Sequence, residues 1–248
     1  MKNGREGVIQ CLCVNYSGGC LCIIYKNKYK HIIVVYTHAL MDHVNQIFHS
    51  LSNQPSDINE HLPTLSKYAS ECNSVFETGV RGCVSSWAFA HGLLTSSRDG
   101  VAKTLFMNDI CVCDINLLLN VTQGLPIRVS YEWKNNLELD FAEGQTYDLT
   151  FIDTWHVYGQ LKRELAKFAP ITNKYIIMHD TTVDEWNGET IRMGMNADEQ
   201  SRISGFPLEE INRGLWPAVE EFLNANPDWV LHERFYNNNG LTVLRKRA

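Results

Sequence analysis

Residues 75–82 read "VFETGVRG", and they place a carboxylate and two glycines between an apolar run and a helical pattern. The apolar run ends at Glu77, and the segment 84–94, "VSSWAFAHGLL", has apolar residues at helical spacing. Gly79 allows a tight turn and a close approach of a ligand to the backbone, and Gly82 lets the helix start against the strand. The stretch therefore predicts a strand–turn–helix unit of an α/β fold, with a ligand at the turn.

The same alternation of strand and helix recurs along the chain. Further apolar runs, "KTLFMND", "PIRVSYEW", "YDLTFID" and "KYIIMHD", are separated by helical patterns such as "INLLLNVTQG" and "GQLKRELAKFA". Near-continuous apolar strands that alternate with helices indicate a parallel sheet covered on both faces. The last segment, "WVLHERFYNNNGLTVLRKR", predicts two antiparallel strands joined by a turn. We therefore expect an α/β, Rossmann-like, doubly wound and mostly parallel sheet with a C-terminal antiparallel hairpin.

The first forty residues differ from the rest of the chain. They are rich in β-branched and aromatic residues around a Ser-Gly-Gly turn signal. This composition predicts either a hairpin that leads into a third strand or a segment outside the core. A helical pattern begins at Met41, so we expect an N-terminal extension over residues 1–40 and the main domain over residues 41–248.

Four of the eight cysteines, Cys11, Cys13, Cys20 and Cys22, lie in this N-terminal segment. Four thiolates can close a tetrahedral zinc site, whereas the alternation of cysteine with leucine is typical of one face of a strand. The spacing favours the strand.

Charge and hydropathy narrow the classes of function. The formal net charge is −6, which repels phosphate backbones, so nucleic acid is not an expected partner. No apolar run is long enough to span a membrane, and the first residues lack the apolar stretch of a secretory signal. We expect a protein of the reducing cytoplasm that acts on a small molecule or a glycan.

Polar residues follow most of the predicted parallel strands: Glu77, Asp109, Asp153 with His156, and His179 with Asp180. Open parallel sheets bind ligands outside the carboxyl ends of their strands. One acid at such a place is often only a helix cap. Acids at four strand ends of one chain indicate a ligand site instead.

The turn after the first strand indicates the kind of ligand. Dinucleotide-binding turns read Gly-x-Gly-x-x-Gly, but here Glu77 occupies the first glycine position. A carboxylate disfavours a pyrophosphate and favours an amino group, a cation or a ribose. S-adenosylmethionine carries all three and no phosphate. We therefore predict a cofactor site at Glu77, Gly79 and Gly82, in which Asp109 accepts hydrogen bonds from the ribose hydroxyls.

Four stretches together, "VFETGVRGCVSSWAF", "DLTFIDTWHVYGQLKREL", "YIIMHDTT" and "GLWPAVEEFL…NNNGLTVLRK", resemble class I S-adenosylmethionine-dependent methyltransferases. The similar branch contains macrocin-type sugar O-methyltransferases and proteins named cephalosporin hydroxylase. The resemblance extends from about Met41 to the C-terminus. It implies S-adenosylmethionine-dependent O-methylation of a sugar or glycan hydroxyl.

The resemblance also implies a metal site and a base. In that family, an aspartate after the fourth strand and an acidic pair after the fifth hold magnesium, and a histidine three residues after the first aspartate is the general base. These positions fall on Asp153, on His179 with Asp180, and on His156. His179 thus replaces a carboxylate. Because magnesium prefers oxygen ligands, the implied ion is either magnesium or a metal that accepts imidazole, such as Mn, Fe or Zn. The alternative is that His179 binds no metal and faces the core or bonds a neighbouring residue.

Residues 181–214 have no clear period and follow the predicted site directly. Segments of this kind are often lids, so we predict an acceptor-binding lid near Asp184 to Arg192, in which Trp186 stacks on a sugar ring while Glu189 or Arg192 bonds hydroxyls. Trp155 fits either a stacking wall or the core.

Two other functions stay open at this stage. A metal-dependent oxygenase could use His156, His179 and one aspartate as ligands, although Glu77-x-Gly79 would then have no use. A non-catalytic binding module with the same fold is the other alternative.

Overall fold

The computed structural model describes residues 15–16, 19–20, 30–96 and 101–247. Its main feature is a seven-stranded sheet in the order β3-β2-β1-β4-β5-β7-β6. The parallel strands are β1 (Ser74–Thr78), β2 (Lys103–Asp109), β3 (Ile127–Trp133), β4 (Tyr147–Ile152) and β5 (Thr172–His179). The antiparallel hairpin consists of β6 (Trp229–Phe235) and β7 (Leu241–Lys246), and β7 pairs with β5. The predicted fold class is confirmed.

Nine helices accompany the strands in the described part of the chain. They are α1 (Lys30–Asn53), α2 (Leu62–Ser70), α3 (Val84–Thr95), α4 (Asn116–Thr122), α5 (Tyr158–Phe168), α6 (Glu189–Arg192), α7 (Ala197–Ser204), α8 (Leu208–Asn212) and α9 (Trp216–Ala225).

The central strands of the sheet are buried on both faces, as their continuous apolar sequences require. Val75 and Phe76, neighbours in β1, are both fully buried and belong to two separate apolar clusters. The Val75 cluster includes side chains of α1, α2 and α3, and the Phe76 cluster includes those of α5 and α9. Strand β1 therefore lies at the centre of a three-layer sandwich, in which successive side chains point to opposite layers.

The order of the strands reverses at β1, which pairs with β2 on one side and β4 on the other. Backbone hydrogen bonds continue past the strand ends, from Gly79 N to Asn108 O and from Asp153 N to Thr78 O, both at 2.9 Å. The three carboxyl ends are thus held in fixed positions at the switch point, where open α/β sheets bind ligands.

The N-terminal segment differs in part from the expectation. Asn15–Tyr16 pairs with Gly19–Cys20 as a hairpin, but residues 31–36, "HIIVVY", belong to helix α1. The predicted third strand is wrong, because α1 packs Val44 and Phe48 into the core and this packing overrides β propensity. Helix α1 crosses Met41, so the division of the chain at residue 40 stays a prediction. Cys11, Cys13 and Cys22 and the side chain of Cys20 lie outside the described residues.

The segment expected to be irregular contains the short helices α6, α7 and α8. Helix α7 is defined by its caps rather than by apolar spacing, since Asn196 accepts a hydrogen bond from Glu199 N and Gly205 ends the helix at φ +74°. None of the residues of α7 is buried. In the described parts of the chain, no helix is long and apolar enough to cross a membrane.

Gly79 and Gly82 offer a matched pair for testing the turn. A Cβ on Gly79, at φ +90°, would lie 1.7 Å from Asp153 O, whereas a Cβ on Gly82 would meet nothing within 4 Å. We expect Gly79→Ala to lower the free energy of unfolding by about 3 kcal/mol or more. Gly82→Ala should change it by no more than about 0.5 kcal/mol. Urea unfolding followed by circular dichroism measures both, and equal effects would contradict the proposed close contact.

Candidate active site

A cleft of about 840 Å³ opens over the carboxyl ends of β1, β2 and β4. This volume is large enough for a nucleoside-sized cofactor together with an acceptor. One half is lined by the turn 79–82 and by residues 109–111 and 135–138. The other half is lined by residues 153–156 and by Glu189, Gln200, Ile203, Ser204 and Phe206. The predicted cofactor turn and the predicted catalytic residues therefore share one cleft.

Glu77 lies beneath this cleft rather than on its surface. Its side chain is fully buried, and Oε1 accepts a hydrogen bond from Ser85 Oγ, while Oε2 has no partner among the described residues. Burial raises the pKa of Glu77 to about 8, against the opposing effect of the hydrogen bond from Ser85 and of the neighbouring Ser86 hydroxyl. Ser85 lines the cleft, so the predicted influence of Glu77 on a cofactor would pass through that hydroxyl.

Asp109 holds the cofactor turn in place. Its Oδ2 accepts hydrogen bonds from Val80 N at 2.8 Å and Arg81 N at 2.9 Å, and its Oδ1 accepts one from Cys111 N at 2.7 Å. A carboxylate has about four acceptor positions, so little capacity remains for ribose hydroxyls. The ribose contact of Asp109 stays a prediction. The sequence did not reveal that Asp109 fixes two loops, the turn after β1 and the segment after β2.

Gly79, at φ +90°, has the conformation of the predicted tight turn. The close approach at Gly79 is to the backbone of Asp153, and the site of a Cβ on Gly82 is open space in the cleft rather than a contact with the strand. The turn between them includes Arg81 at φ +43°, a conformation uncommon for a side-chain-bearing residue.

A buried polar network under the cleft was missed by sequence reasoning. Glu164 Oε1 accepts hydrogen bonds from Asn136 Nδ2, Thr154 Oγ1 and Gln160 Nε2 at 2.6–2.8 Å. Asn136 also donates to Thr78 Oγ1, which ties helix α5 to the end of β1. The sequence contained one signal for this network, because helical spacing places Glu164 on the same face of α5 as the apolar Leu161 and Phe168. In the structure Glu164 is almost fully buried there.

Asp153, His156, His179 and Asp180 meet at the centre of the carboxyl edge. His156 Nε2 lies 3.2 Å from Asp153 Oδ1 and 3.1 Å from Asp180 Oδ2. His179 Nδ1 lies 3.4 Å from Asp153 Oδ1 and 3.5 Å from Asp180 Oδ2. The structure thus brings together the residues predicted as base and as metal ligands. Asp153, His156 and Asp180 line the cleft, and His179 lies below them.

The electrostatics of this centre are dominated by carboxylates. Burial by itself would lower the pKa of His156, but the hydrogen bond with Asp153 and the nearby carboxylates of Asp184 and Asp180 hold it well above its ordinary value. Burial would likewise raise the pKa of Asp153, but the neighbouring His179 and His156 hold it well below its ordinary value. When no metal ion is bound, the imidazole rings of His156 and His179 carry the positive charge that balances the carboxylates.

The centre fits a divalent cation. One ligand atom from each of Asp153, His156 and Asp180 lies within 4.8 Å of the others. Buried His179 Nδ1 and Asp180 Oδ1 have no hydrogen-bond partner among the described residues. Carboxylate oxygens and imidazole nitrogens are common metal ligands.

The three residues predicted to bind the acceptor lie in different surroundings. Glu189 lines the cleft, with Oε2 3.7 Å from His156 Nδ1. Arg192 forms a two-point ion pair with buried Asp184, through Nε at 2.6 Å and Nη2 at 2.9 Å. Trp186 is 58% exposed and is not among the cleft residues.

An aromatic pair lies on the acceptor side of the cleft instead. Trp155 stacks on Phe206, with ring centroids 5.9 Å apart and planes inclined by 15°. Both residues line the cleft. Of the two positions expected for Trp155, the core and a wall of the cleft, the structure therefore shows the wall. Tyr158 is buried in the core and donates its hydroxyl to Glu221. The sequence could not indicate Phe206, because it belongs to the segment without a period.

Comparisons with solved structures agree with this architecture. A candidate O-methyltransferase from Klebsiella pneumoniae is 15% identical, with a TM-score of 0.51 over 89% of this chain and 98% of that one. An O-methyltransferase from Bacillus cereus in complex with S-adenosylhomocysteine is 13% identical, with a TM-score of 0.50 over 87% of this chain and all of that one. No protein-family model and no curated protein sequence matches the chain. The fold is that of class I S-adenosylmethionine-dependent methyltransferases.

The buried carboxyl of Glu77 predicts a specific pH dependence. Because its folded pKa of about 8 lies above the unfolded value of 4.5, folding takes up a proton between these pH values, and the stability of the wild type falls as the pH rises through them. Glu77→Gln removes this titration and keeps an acceptor for Ser85. The unfolding free energy of the variant relative to wild type should rise by about 3 kcal/mol from about pH 5 to pH 8. Urea titrations across that range measure the difference, which would be constant if Glu77 did not titrate there.

Proposed function

We propose that the protein is an S-adenosylmethionine-dependent O-methyltransferase that acts on a sugar or glycan hydroxyl with the help of a divalent cation. One observation carries the proposal most directly: the turn at Gly79 and the Asp153–His156–Asp180 centre lie in the same cleft, joined by the contact of Gly79 with Asp153 O. A methyl donor held at the turn would face the groups that act on the acceptor.

The cofactor half of the cleft suits a nucleoside with a charged amino-acid tail. Residues 79–85 supply the turn and the Ser85 hydroxyl, and Asp109 keeps the turn in shape through the amides of Val80 and Arg81. The loop 135–138 and Ile110, which is largely exposed, supply polar and apolar contacts for a base and a ribose. Sulfonium and ammonium groups are favoured by the acids that line the cleft.

The charge of the cleft lining supports an uncharged polyhydroxyl substrate. Among the described residues the cleft is lined by six acids, Asp57, Asp109, Glu138, Asp153, Asp180 and Glu189. Arg81 is the one lysine or arginine described there, and it is paired with Asp57. Phosphorylated or carboxylated acceptors would find no further lysine or arginine among these residues, and the acids would disfavour their negative charge. The stacked rings of Trp155 and Phe206 offer an apolar surface for the C–H face of a sugar ring.

Methyl transfer is an in-line displacement at the sulfonium. The acceptor oxygen forms a bond with the methyl carbon, the carbon–sulfur bond breaks with its electrons going to sulfur, and the hydroxyl proton leaves. A sugar hydroxyl is a weak nucleophile at neutral pH, so removal of its proton needs a base. His156 is our candidate for that base, because it lines the cleft and its Nδ1 lies 3.3 Å from Asp184 Oδ2.

Asp153 and Asp180 would hold the divalent cation from the floor of the cleft. A bound cation at this place would polarise the acceptor hydroxyl and lower its pKa. The same carboxylates orient the imidazole of His156 towards the cleft. The oxygenase alternative would use this centre as well, but it leaves the Gly79 turn and the Glu77–Ser85 pair without a role.

Two measurements test the proposed function. Isothermal titration calorimetry should detect saturable binding of S-adenosylmethionine and S-adenosylhomocysteine. Methyl-labelled cofactor should then transfer its label to neutral glycosides in the presence of a divalent metal, and not to the matching sugar phosphates, as followed by mass spectrometry. Absence of cofactor binding would refute the proposal. Labelling of sugar phosphates in preference to neutral sugars would refute the acceptor class.

The two tryptophans near the cleft distinguish between models of acceptor binding. We expect Trp155→Ala to raise the acceptor KM about tenfold, because an aromatic platform contributes on the order of 1–2 kcal/mol. Trp186→Ala should leave the acceptor KM unchanged, since Trp186 lies outside the cleft lining. The affinity for S-adenosylhomocysteine should be unchanged in both variants. A selective loss in Trp186→Ala would support the lid contact predicted from the sequence instead.

A further inference from the structure

His179 has the surroundings of a metal ligand. Its Nε2 donates a hydrogen bond to the carbonyl oxygen of Asn238 at 3.1 Å, so in the neutral ring that a metal would bind, the lone pair lies on the other nitrogen, Nδ1. That nitrogen is buried and has no hydrogen-bond partner among the described residues. Metal-binding histidines commonly donate their second nitrogen to a carbonyl or carboxylate, which fixes the tautomer and the direction of the ring.

The backbone directs both side chains of the pair towards one point. Neighbouring residues of an extended strand place their side chains on opposite faces. His179 is the last residue of β5, and Asp180 follows it in the left-handed conformation at φ +57°. This turn brings Asp180 Oδ2 within 3.5 Å of His179 Nδ1. A strained conformation of an aspartate at a strand end is typical of functional sites.

The β6–β7 turn supports His179 from behind. Asn238 itself is anchored by two side-chain hydrogen bonds, from Glu60 N to Oδ1 at 3.1 Å and from Nδ2 to Ser56 O at 2.8 Å. Its carbonyl is therefore fixed relative to the segment that precedes α2. His61 in that segment donates a hydrogen bond from Nε2 to Asn237 O, and its ring packs edge-on against His179 at a centroid distance of 5.8 Å.

The spacing of the donor atoms suits metal coordination. Metal–ligand bonds of ~2.1 Å place neighbouring ligands ~3.0 Å apart around an octahedral ion and ~3.4 Å apart around a tetrahedral one. His179 Nδ1 lies 3.4 Å from Asp153 Oδ1 and 3.5 Å from Asp180 Oδ2. His156 Nε2 lies at similar distances from the same two oxygens but faces the cleft, where an acceptor would lie.

We propose that His179 Nδ1, Asp153 and Asp180 form a mixed nitrogen–oxygen site that selects a first-row transition-metal dication over magnesium, with Asn238 O fixing the ligating tautomer. The inference rests on the proposed metal assistance and deepens it. Magnesium favours all-oxygen sites with several waters, whereas imidazole raises the affinity for ions later in the row. The expected order of affinity is Mg²⁺ < Mn²⁺ < Co²⁺ for the wild type.

Metal binding can be measured without turnover. After chelator treatment and dialysis, the full chain is titrated calorimetrically with MgCl₂, MnCl₂ and CoCl₂. We expect Co²⁺ and Mn²⁺ to bind at least tenfold more tightly than Mg²⁺. Equal affinities, tighter binding of Mg²⁺, or no binding of any of the three ions would overturn the proposal.

The nitrogen ligand is identified by pulsed electron paramagnetic resonance of the Mn²⁺ complex, which detects a coordinated imidazole. The ¹⁴N coupling should be present in the wild type, absent in His179→Gln, and retained in His156→Gln. His179→Glu should raise the affinity for Mg²⁺ and lower that for Co²⁺. Loss of the coupling in His156→Gln alone would assign the nitrogen to His156 and overturn the proposal.

Circular dichroism before metal addition checks that each variant is folded. If His179→Gln does not fold, the coupling in His156→Gln decides the matter, because its retention leaves His179 as the nitrogen ligand and its loss overturns the proposal. The outcome is separable from that of the proposed function. Metal selectivity without S-adenosylmethionine binding would leave this site standing and refute the methyltransferase. Methyl transfer by a protein that binds no metal would support the methyltransferase and refute this metal site.

Discussion

The contact between Gly79 and the backbone of Asp153 is the constraint on which the site depends. No side chain fits between these two segments, because a Cβ on Gly79 would overlap Asp153 O. The turn after β1 and the end of β4 are therefore held together by backbone alone, with Gly79 N bound to Asn108 O on the other side. Since a methyl donor and a base must meet within a few ångströms, this spacing decides whether the cleft can carry out a transfer.

The layers below the cleft keep this geometry through buried polar contacts. Glu164 on α5 is bonded to Asn136, which reaches Thr78 at the end of β1, and Thr78 donates to Asn108 at the end of β2. Buried networks of this kind are costly when incomplete, so they favour a single arrangement of the strand ends. Glu77 adds a second link, from β1 to α3 through Ser85. Both links join an element of the core to a residue of the cleft.

The sequence predicted the fold and the residues at the strand ends. It did not predict the hydrogen bonds that hold those residues in place. The apolar runs predicted β1 to β7 because continuous burial leaves a strong pattern, and acids at strand ends follow from the geometry of parallel sheets. The contacts of Asp109 with three amides and of His179 with Asn238 O depend on loop conformations set by tertiary packing. Helix α1 was missed for a related reason, since residues 31–36 have β propensity but continue a helix that packs on the core.

The excess of carboxylates explains why the centre requires a cation in every state. Asp153, Asp180 and Asp184 surround His156, and only Asp184 has an arginine partner, Arg192, among the described residues. Buried carboxylates are stable only when protons, metals or cationic side chains balance them. Without a ligand, the two imidazoles carry that charge, and a cofactor with a sulfonium enters a cleft of matching sign. A metal held beside His179 would balance the carboxylates in place of a protonated His156. The imidazole of His156 could then be neutral and accept a proton.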